Sequence, residues 1–284
     1  MYAATLFLAL VSSAMLTQTM ASVPFNCHGR YRNMNIDLPF KLLRPSGVSE
    51  PHGPCVNPAN GDFVVTYWTP NSYTYLFNSN GDIKKKINIP SEAVTRSCGC
   101  IFAGGKLFMS ATEKHKILQY TSDGEFEKVF ATGHEFDYFA VQFAKLYVSI
   151  RYSKDIIVFD VYSGKIVKEF KVPSGDGRGL AFDPLGKLHI AIWGKNIVDI
   201  VTSEGDPVKT ITYPGVSGLD GIVIDNSTNS ILVDRVGRKV VIFDKNDKLV
   251  KTIPEFHYPI DVAMGYKCKY IIVTDMNHGT FLLN

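Results

Sequence analysis

The feature that most constrains this chain is an internal repeat of about 40 residues. Each copy runs from an apolar strand through a Gly-containing turn to an alternating second strand, then to a third strand and a charged fourth strand. The second strands of the six copies align at residues 62–66, 106–110, 145–149, 187–191, 230–234 and 270–274. One four-stranded sheet cannot bury both of its faces, whereas six sheets packed radially bury them against each other. The repeat therefore predicts an all-β fold, a six-bladed β-propeller with four-stranded antiparallel blades.

The two ends of the repeat array complement each other. The sixth copy stops after its third strand, at residues 281–284, and residues 36–43 alternate in the manner of an outer strand. We expect this N-terminal strand to become the fourth strand of the last blade and to close the ring. Residues 22–284 would then form a single propeller domain, in which 22–43 are the N-terminal segment and closing strand.

The first 21 residues differ from the rest because they contain no charged side chain. An apolar run at 6–11 is followed by small residues up to Ala21, which is typical of a secretory signal peptide spanning residues 1–21. The mature chain is therefore expected to be secreted and extracellular, with no membrane span. The glycosylation sequon that begins at Asn226 agrees with secretion.

The charge of the chain bears on its partners. Its formal net charge of +3 is small and its basic residues are scattered, which argues against nucleic acid. We expect a monomer whose partner is an extracellular protein, a glycan or a small molecule.

Five cysteines follow the predicted signal peptide, and in an oxidising compartment four would pair and one would remain a thiol. Closure of the ring would bring Cys27 near Cys268, which predicts one disulfide. Cys55 lies at an inner-strand position equivalent to Cys98 or Cys100 of the next blade, which predicts a second. One residue between Cys98 and Cys100 is too few for a zinc ribbon.

A family resemblance appears at the level of single blades. Residues 261–263 read Asp-Val-Ala and residues 272–278 read Ile-Val-Thr-Asp-Met-Asn-His, which resembles an NHL repeat; residues 179–183 and 221–225 match its first half. The resemblance covers about residues 46–284 and implies an NHL-like propeller. It does not imply a function, because such propellers serve as enzymes, adhesion modules and scaffolds.

Blade geometry directs two rings of residues to one mouth of the central channel, where each first strand begins and each second strand ends. The inner ring is expected to comprise His52, Cys98, Phe139, Arg178, Asp220 and Ile260. The outer ring is expected to comprise Tyr67, Trp68, Glu113, Arg151, Tyr152, Trp193, Arg235, Asp275 and His278.

Two interpretations of this mouth differ in the role of Arg178 and Asp220, which come from adjacent blades. In the structural one, the two side chains form a salt bridge that plugs the channel. In the functional one, they belong to a polar site for a small anionic ligand. The candidate ligand-binding residues of that site are His52, Arg178, Asp220, Arg235, Tyr152 and Trp193.

His52 lies in the sequence Pro51-His52-Gly53, which is similar to the Pro-His contexts of the zinc histidines in peptidyl-hydroxyglycine amidating lyases. A catalytic zinc needs about three protein ligands, and His52 is the one candidate in the inner ring. For calcium the ring offers Asp220, with Asp261 next to Ile260. We therefore predict no cofactor, with zinc and calcium as the alternatives, and assign no catalytic residue.

Two functions follow from these residues. The first is a secreted binding module whose channel face takes a protein, a glycan or a small anionic ligand, with aromatic side chains as anchors. The alternative is an extracellular lyase or hydrolase distantly related to the amidating lyases. The sequence leaves open whether the protein is an enzyme.

Overall fold

The computed structural model describes residues 39–284, with side chains from Lys41 onward, and nearly all of its regular structure is β-strand. In chain order the strands are β1 (Pro39–Leu43), β2 (Pro51–Val56), β3 (Phe63–Tyr67), β4 (Tyr73–Phe77), β5 (Ile83–Asn88), β6 (Cys100–Ala103), β7 (Lys106–Ala111), β8 (Lys116–Thr121), β9 (Phe126–Thr132), β10 (Phe136–Gln142), β11 (Lys145–Ile150), β12 (Asp155–Asp160), β13 (Ile166–Lys171), β14 (Gly177–Phe182), β15 (Leu188–Ile192), β16 (Ile197–Val201), β17 (Pro207–Thr212), β18 (Leu219–Ile224), β19 (Ser230–Asp234), β20 (Lys239–Phe243), β21 (Leu249–Ile253), β22 (Pro259–Met264), β23 (Ile271–Asp275) and β24 (Gly279–Leu283). Short 3-10 turns lie at Ser91–Ala93, Thr112–Lys114 and Tyr266–Cys268.

These strands form six antiparallel four-stranded sheets, which confirms the predicted six-bladed propeller. Five sheets take four consecutive strands each, from β2–β5 to β18–β21, and the sixth has the order β1-β24-β23-β22. The innermost strand of each sheet contacts the innermost strand of the next, and β22 contacts β2. Strand β1 pairs antiparallel with β24 at the outer edge of the sixth sheet, while residues 36–38 of the predicted closing strand lie outside the described residues.

The hydrophobic core is divided into six clusters, one between each pair of neighbouring sheets. The second strands supply much of it because both of their faces are covered; all five residues of β3 and of β15 are buried. The fourth strands are mostly exposed, as β17 shows with a single buried residue, Ile211. Burial of alternate apolar faces between blades therefore provides the main cohesion of the ring.

Hydroxyl groups on several second strands tie neighbouring inner strands together. Thr66 donates to the Cys98 carbonyl at 2.9 Å, and Ser149 donates to the Arg178 carbonyl at 3.1 Å, each in the next blade. Thr274 donates in the same way to the His52 carbonyl across the junction of the last and first blades. These bonds satisfy backbone groups that are buried at the centre of the ring and have no ladder partner.

Two neighbouring blades are also joined covalently. Cys55 of β2 and Cys100 of β6 form a disulfide, which confirms one of the two predicted partners of Cys55 and leaves Cys98 as a buried thiol. Cys268 is disulfide-bonded as well, whereas its predicted partner Cys27 lies outside the described residues. The predicted signal peptide, 1–21, also lies outside them. Within residues 39–284 no helix has the length and apolar character needed to cross a membrane.

Candidate functional site

The centre of the channel is built on one position within, or directly before, each inner strand. Four of the six positions are glycine, and the other two are a tyrosine and an aspartate. In ring order they are Gly53, Gly99, Tyr138, Gly179, Gly221 and Asp261. A Cβ on Gly53 would lie 2.2 Å from the Cys98 carbonyl oxygen, and one on Gly179 would lie 2.6 Å from that of Asp220. Glycine is therefore needed at these two positions.

Tyr138 fills the space that the glycines leave and closes the channel. Its hydroxyl oxygen lies 3.4 Å from His52 Nδ1 and 3.4 Å from Asp220 Oδ1. His52 Nδ1 is also 3.0 Å from the Cys98 carbonyl oxygen, so this nitrogen carries the proton and donates. The Tyr138 hydroxyl then accepts from His52 and donates to Asp220. Three blades are joined in one buried polar layer.

The ion pairs of this layer correct the predicted Arg178–Asp220 bridge. Arg178 is 3% exposed and pairs with Asp137 at 2.8 Å and with Asp176 at 3.2 Å. Asp220 is approached instead by Arg235, at 3.6 Å. Arg178 turns toward the preceding blade because Asp137 is completely buried and needs a counter-charge there.

Asp137 also corrects the predicted inner ring, in which Phe139 held the position of the third blade. The structure places Asp137 at that position, and Phe139 lies two residues further along β10 and lines a cavity beneath the polar layer. Spacing would have found it: Asp137 precedes Leu146 by the same interval as Cys98 precedes Leu107. Both blades have a short turn between their first and second strands.

Above the polar layer, arginine and aromatic side chains alternate around the channel mouth. We call this row the arginine–aromatic ladder; its members are Arg96, Trp68, Arg151, Tyr152, Arg178, Trp193, Arg235 and Tyr258. The distances from guanidinium carbon to ring centroid range from 4.1 Å, for Arg151 over Trp68, to 5.4 Å, for Arg235 over Tyr258. Such contacts orient the guanidinium groups and leave their N–H edges available for hydrogen bonds and ion pairs.

The six predicted site residues lie in one connected cluster. Tyr152, Arg178, Trp193 and Arg235 are consecutive members of the ladder, and His52 and Asp220 lie in the layer below it. Tyr152 is 68% exposed, whereas Arg178 is buried and its guanidinium lies over the rings of Tyr152 and Trp193. Tyr258, whose hydroxyl oxygen accepts a hydrogen bond from the Arg235 guanidinium at 2.8 Å, was missed because it lies before its inner strand, outside the aligned positions.

Burial shifts the pKa values of two groups in this cluster in opposite directions. It lowers the pKa of His52 from 6.5 to about 4, although the nearby Asp137 charge acts in the other direction. It raises the pKa of Asp220 from 3.8 to about 6, against the charges of Arg178 and Arg235. His52 is therefore neutral at pH 7, and Asp220 gains a proton near pH 6. Burial also raises the pKa of the Cys98 thiol, which keeps it protonated.

Several residues of the predicted outer ring have structural partners instead. Glu113 pairs with Arg96 at 2.6 Å, and Tyr67 is 5% exposed within β3. Asp275 is completely buried, and its carboxylate accepts four backbone N–H groups from the two adjoining loops. The His278 ring lies against that of His257 in a tilted arrangement, with ring centroids 5.2 Å apart. Asp275 thus shapes the loops and is not available to a ligand.

A cavity of about 1020 Å³ occupies the channel on the other side of the polar layer. All six inner strands line it, and it reaches the turns between first and second strands, including Phe143, Asp183 and Asn226. Sequence reasoning selected the opposite mouth and gave no weight to this one. Asn226, the predicted glycosylation site, is half-buried in the turn between β18 and β19, and its modification stays a prediction.

The residues present do not fit the zinc site that the amidating-lyase resemblance implies. His52 is held by the Cys98 carbonyl and stacks on Trp68 with ring centroids 5.4 Å apart. Nowhere in the described part of the chain do three or more His, Cys, Asp or Glu side chains gather as metal ligands. No step of chemistry is therefore derived through a metal.

Comparisons with known proteins bear on the fold. No protein-family model matches the sequence, and no curated protein matches it, so the NHL resemblance stays a prediction. Among solved structures, that of a streptogramin B lyase is similar, with a TM-score of 0.66 and 13% identity, over 87% of this chain and 96% of that one. At this identity the likeness shows the propeller fold alone.

Proposed function

We propose that the protein is a binding module that takes an anionic ligand on the arginine–aromatic ladder. The observation that carries the proposal is the environment of the Arg151 guanidinium, which lies between aromatic rings and beside uncharged hydrogen-bond partners. Its guanidinium lies 4.1 Å from the Trp68 ring centroid and 4.9 Å from that of Tyr152, at the channel mouth. It donates to the Tyr152 hydroxyl at 3.2 Å and to Cys98 Sγ at 3.3 Å, both uncharged groups.

Arg151 differs from the other ladder arginines in its lack of a compensating charge. Arg96, Arg178 and Arg235 each have a carboxylate partner within 4.0 Å, whereas Arg151 has none among the described residues. A half-buried, oriented and uncompensated guanidinium favours an external carboxylate, sulfate or phosphate, because such a group forms charge-assisted bonds there.

The aromatic members of the ladder further restrict the chemical class of the ligand. Trp68 and Trp193 are half-buried with arginines stacked on them, and Tyr152 and Tyr258 are exposed. Flat apolar faces beside cationic edges suit a ligand that joins an anionic group to a ring, such as an acidic glycan or an aromatic acid. An acidic segment of an extracellular protein offers the same chemistry.

Tryptophan fluorescence tests this proposal at the site itself, because the chain has 2 tryptophans and both are members of the ladder. We expect a sulfated disaccharide to change the emission saturably, and its unsulfated counterpart to bind at least about tenfold more weakly, the equivalent of one charge-assisted bond. The affinity should fall as salt is added.

The variant Arg151→Met keeps most of the side-chain stem and removes the charge. We expect it to weaken binding of the sulfated disaccharide about tenfold, and Arg151→Lys to weaken it less. Lys248→Met is the matched control, since Lys248 is exposed, lies in the turn after β20 and carries the same charge. Equal losses in R151M and K248M would mean a net-charge effect, and no loss in R151M would contradict the proposal.

A second candidate function is lyase or hydrolase chemistry at the same face. It is favoured by the fold likeness to a streptogramin B lyase and by the hydrogen-bonded row of His52, Tyr138 and Asp220. Metal analysis of protein purified from a secreting host tests its zinc version. Stoichiometric zinc that is lost in His52→Ala would support that version, and metal-free protein would exclude it.

A further inference from the structure

The cavity beneath the polar layer is a second compartment, separate from the ladder. Tyr138 and Asp261 lie among its lining residues and form its closed end, where the hydroxyl of Tyr138 reaches His52 and Asp220. The walls are mostly apolar; Ile101, Phe139, Leu180 and Met264 come from four different blades. A volume of about 1020 Å³ accommodates a ligand of the size that concave protein sites commonly hold.

The charges that line this cavity have one sign. Asp183 and Asp261 are its charged residues, and no Lys, Arg or His lines it within the described part of the chain. Asp183 is already occupied: it accepts the backbone N–H of Leu185 and of Lys187, each at 2.9 Å, and pairs with His189 at 3.2 Å. Asp261 is thus the acidic group left to a ligand.

Asp261 is a buried carboxyl group without a counter-ion. It is 8% exposed, and its Oδ1 accepts the N–H of its own neighbour Val262 at 2.8 Å. Among residues 41–284 no Lys, Arg or His approaches its carboxylate within 4.0 Å, and its Oδ2 receives no hydrogen bond. Gly221 leaves the room for this side chain, because a Cβ there would lie 2.2 Å from Asp261 Oδ1.

At the open end of the cavity, Phe143 has an exposed side chain and an unfavourable backbone conformation. It is 76% exposed and has a φ of 52°, in the left-handed region that a bulky side chain rarely adopts. Asn or Gly would relieve this strain at the same turn position. An exposed, strained aromatic side chain at a cavity mouth is consistent with a contact to a ligand.

We propose that this cavity binds an apolar molecule that carries a single amine, with the ammonium group on Asp261 and the apolar body along the walls. The ammonium supplies the counter-charge that Asp261 lacks, and the walls bury the hydrocarbon. Phe143 covers the part of the ligand nearest the mouth. An anionic amphiphile is disfavoured because both lining charges are negative.

A proton-release measurement follows from the burial of Asp261. Burial raises the pKa of this carboxyl, and the charges of Asp220 and Asp137 act in the same sense, opposed by the bond from the Val262 N–H. Tyr138, also nearby, is uncharged because burial raises its pKa. An ammonium group beside the carboxylate acts in the opposite sense and lowers this pKa, so binding is linked to proton release in the pH range where Asp261 titrates.

The experiment compares three ligands of one chain length by calorimetry: decylamine, decanol and decanoate, all below their aggregation concentrations. The protein is made in a bacterial periplasm, where disulfides form and Asn226 carries no glycan. We expect decylamine to bind about tenfold more tightly than decanol, and decanoate to bind most weakly. In the pH range where Asp261 titrates, the heat of decylamine binding should vary with the buffer, because proton release is linked to binding there.

Two variants decide between the proposal and nonspecific uptake of hydrocarbon. Asp261→Asn should remove the preference for decylamine over decanol and the buffer dependence, while decanol binding stays. Phe143→Asn should weaken all three ligands and leave the melting temperature unchanged or higher, which separates binding from folding. Equal affinities for decylamine and decanoate, or an unchanged preference in D261N, would overturn the proposal; neither result bears on the ladder.

Discussion

At the scale of single residues, the channel is closed by a departure from its own repeat. Four blades place glycine where the inner strands converge, and one places Tyr138, whose hydroxyl bridges His52 and Asp220. His52 is held neutral because burial disfavours its charged form; the charges of Arg151 and Arg178 act in the same sense, against the Asp137 charge and the bond to the Cys98 carbonyl. Its environment therefore makes the stability of the fold depend on pH.

The direction of that dependence follows from the two pKa values of His52. The pKa is about 4 in the folded protein and 6.5 for the ordinary group, so the unfolded chain binds more protons between these values. The His52 contribution is therefore complete above pH 6.5 and is lost as the pH falls toward 4. Relative to His52→Gln, the wild-type free energy of unfolding should rise by about 3 kcal/mol across this window.

Chemical denaturation at several pH values measures this difference. Titrations of Asp220 and of other shared groups largely cancel, because they occur in both proteins. His52→Asn provides a second reference protein with a different side-chain volume. The difference in the free energy of unfolding between wild type and this variant should change with pH by the same amount, although its absolute value differs. A flat difference between wild type and both variants would show that His52 is not buried as a neutral base.

Residue identities explain how much of the site could be read from the sequence. Polar–glycine pairs such as Arg178-Gly179 and Asp220-Gly221 mark the inner strands and locate the mouth. The partner of Arg178 was missed because Asp137 is followed by Tyr138 instead of glycine, although its spacing from Leu146 matches that of Cys98 from Leu107. The ladder depends on long side chains from different loops meeting in space, which no local pattern encodes.

At the scale of elements, the strands were predictable because burial imposes a period of two and turns require glycine or asparagine. The predicted second strands correspond to β3, β7, β11, β15, β19 and β23. The pattern did not show that hydroxyl groups at one position of these strands donate to a backbone carbonyl of the next blade. Blades four and five have Ala191 and Val233 there and lack that bond.

Ser149 offers the clearest test of these cross-blade hydroxyls. It is completely buried, accepts the Tyr138 N–H at 3.0 Å and donates to the Arg178 carbonyl at 3.1 Å. Ser149→Ala leaves both backbone groups unpaired, so the free energy of unfolding should fall by about 1–3 kcal/mol. Denaturant titration measures the change, with Ser72→Ala as the control because Ser72 is exposed. A loss in S149A no larger than in S72A would contradict this role.

At the scale of the whole molecule, one channel is divided into two compartments of opposite character. Arginines and aromatic rings surround the upper mouth, acidic groups and apolar walls line the lower cavity, and Tyr138 lies between them. The repeat predicted the ring and its axis, but the cavity arises from side chains of all six blades. Its position could therefore not be inferred from any one repeat.

The most direct measurement titrates wild-type, Arg151→Met and Asp261→Asn proteins with a sulfated disaccharide and with decylamine. The two-compartment account predicts a crossed result: R151M loses about tenfold in affinity for the disaccharide and keeps decylamine, while D261N does the reverse. A variant that weakens both ligands equally, or two variants that weaken neither, would contradict it.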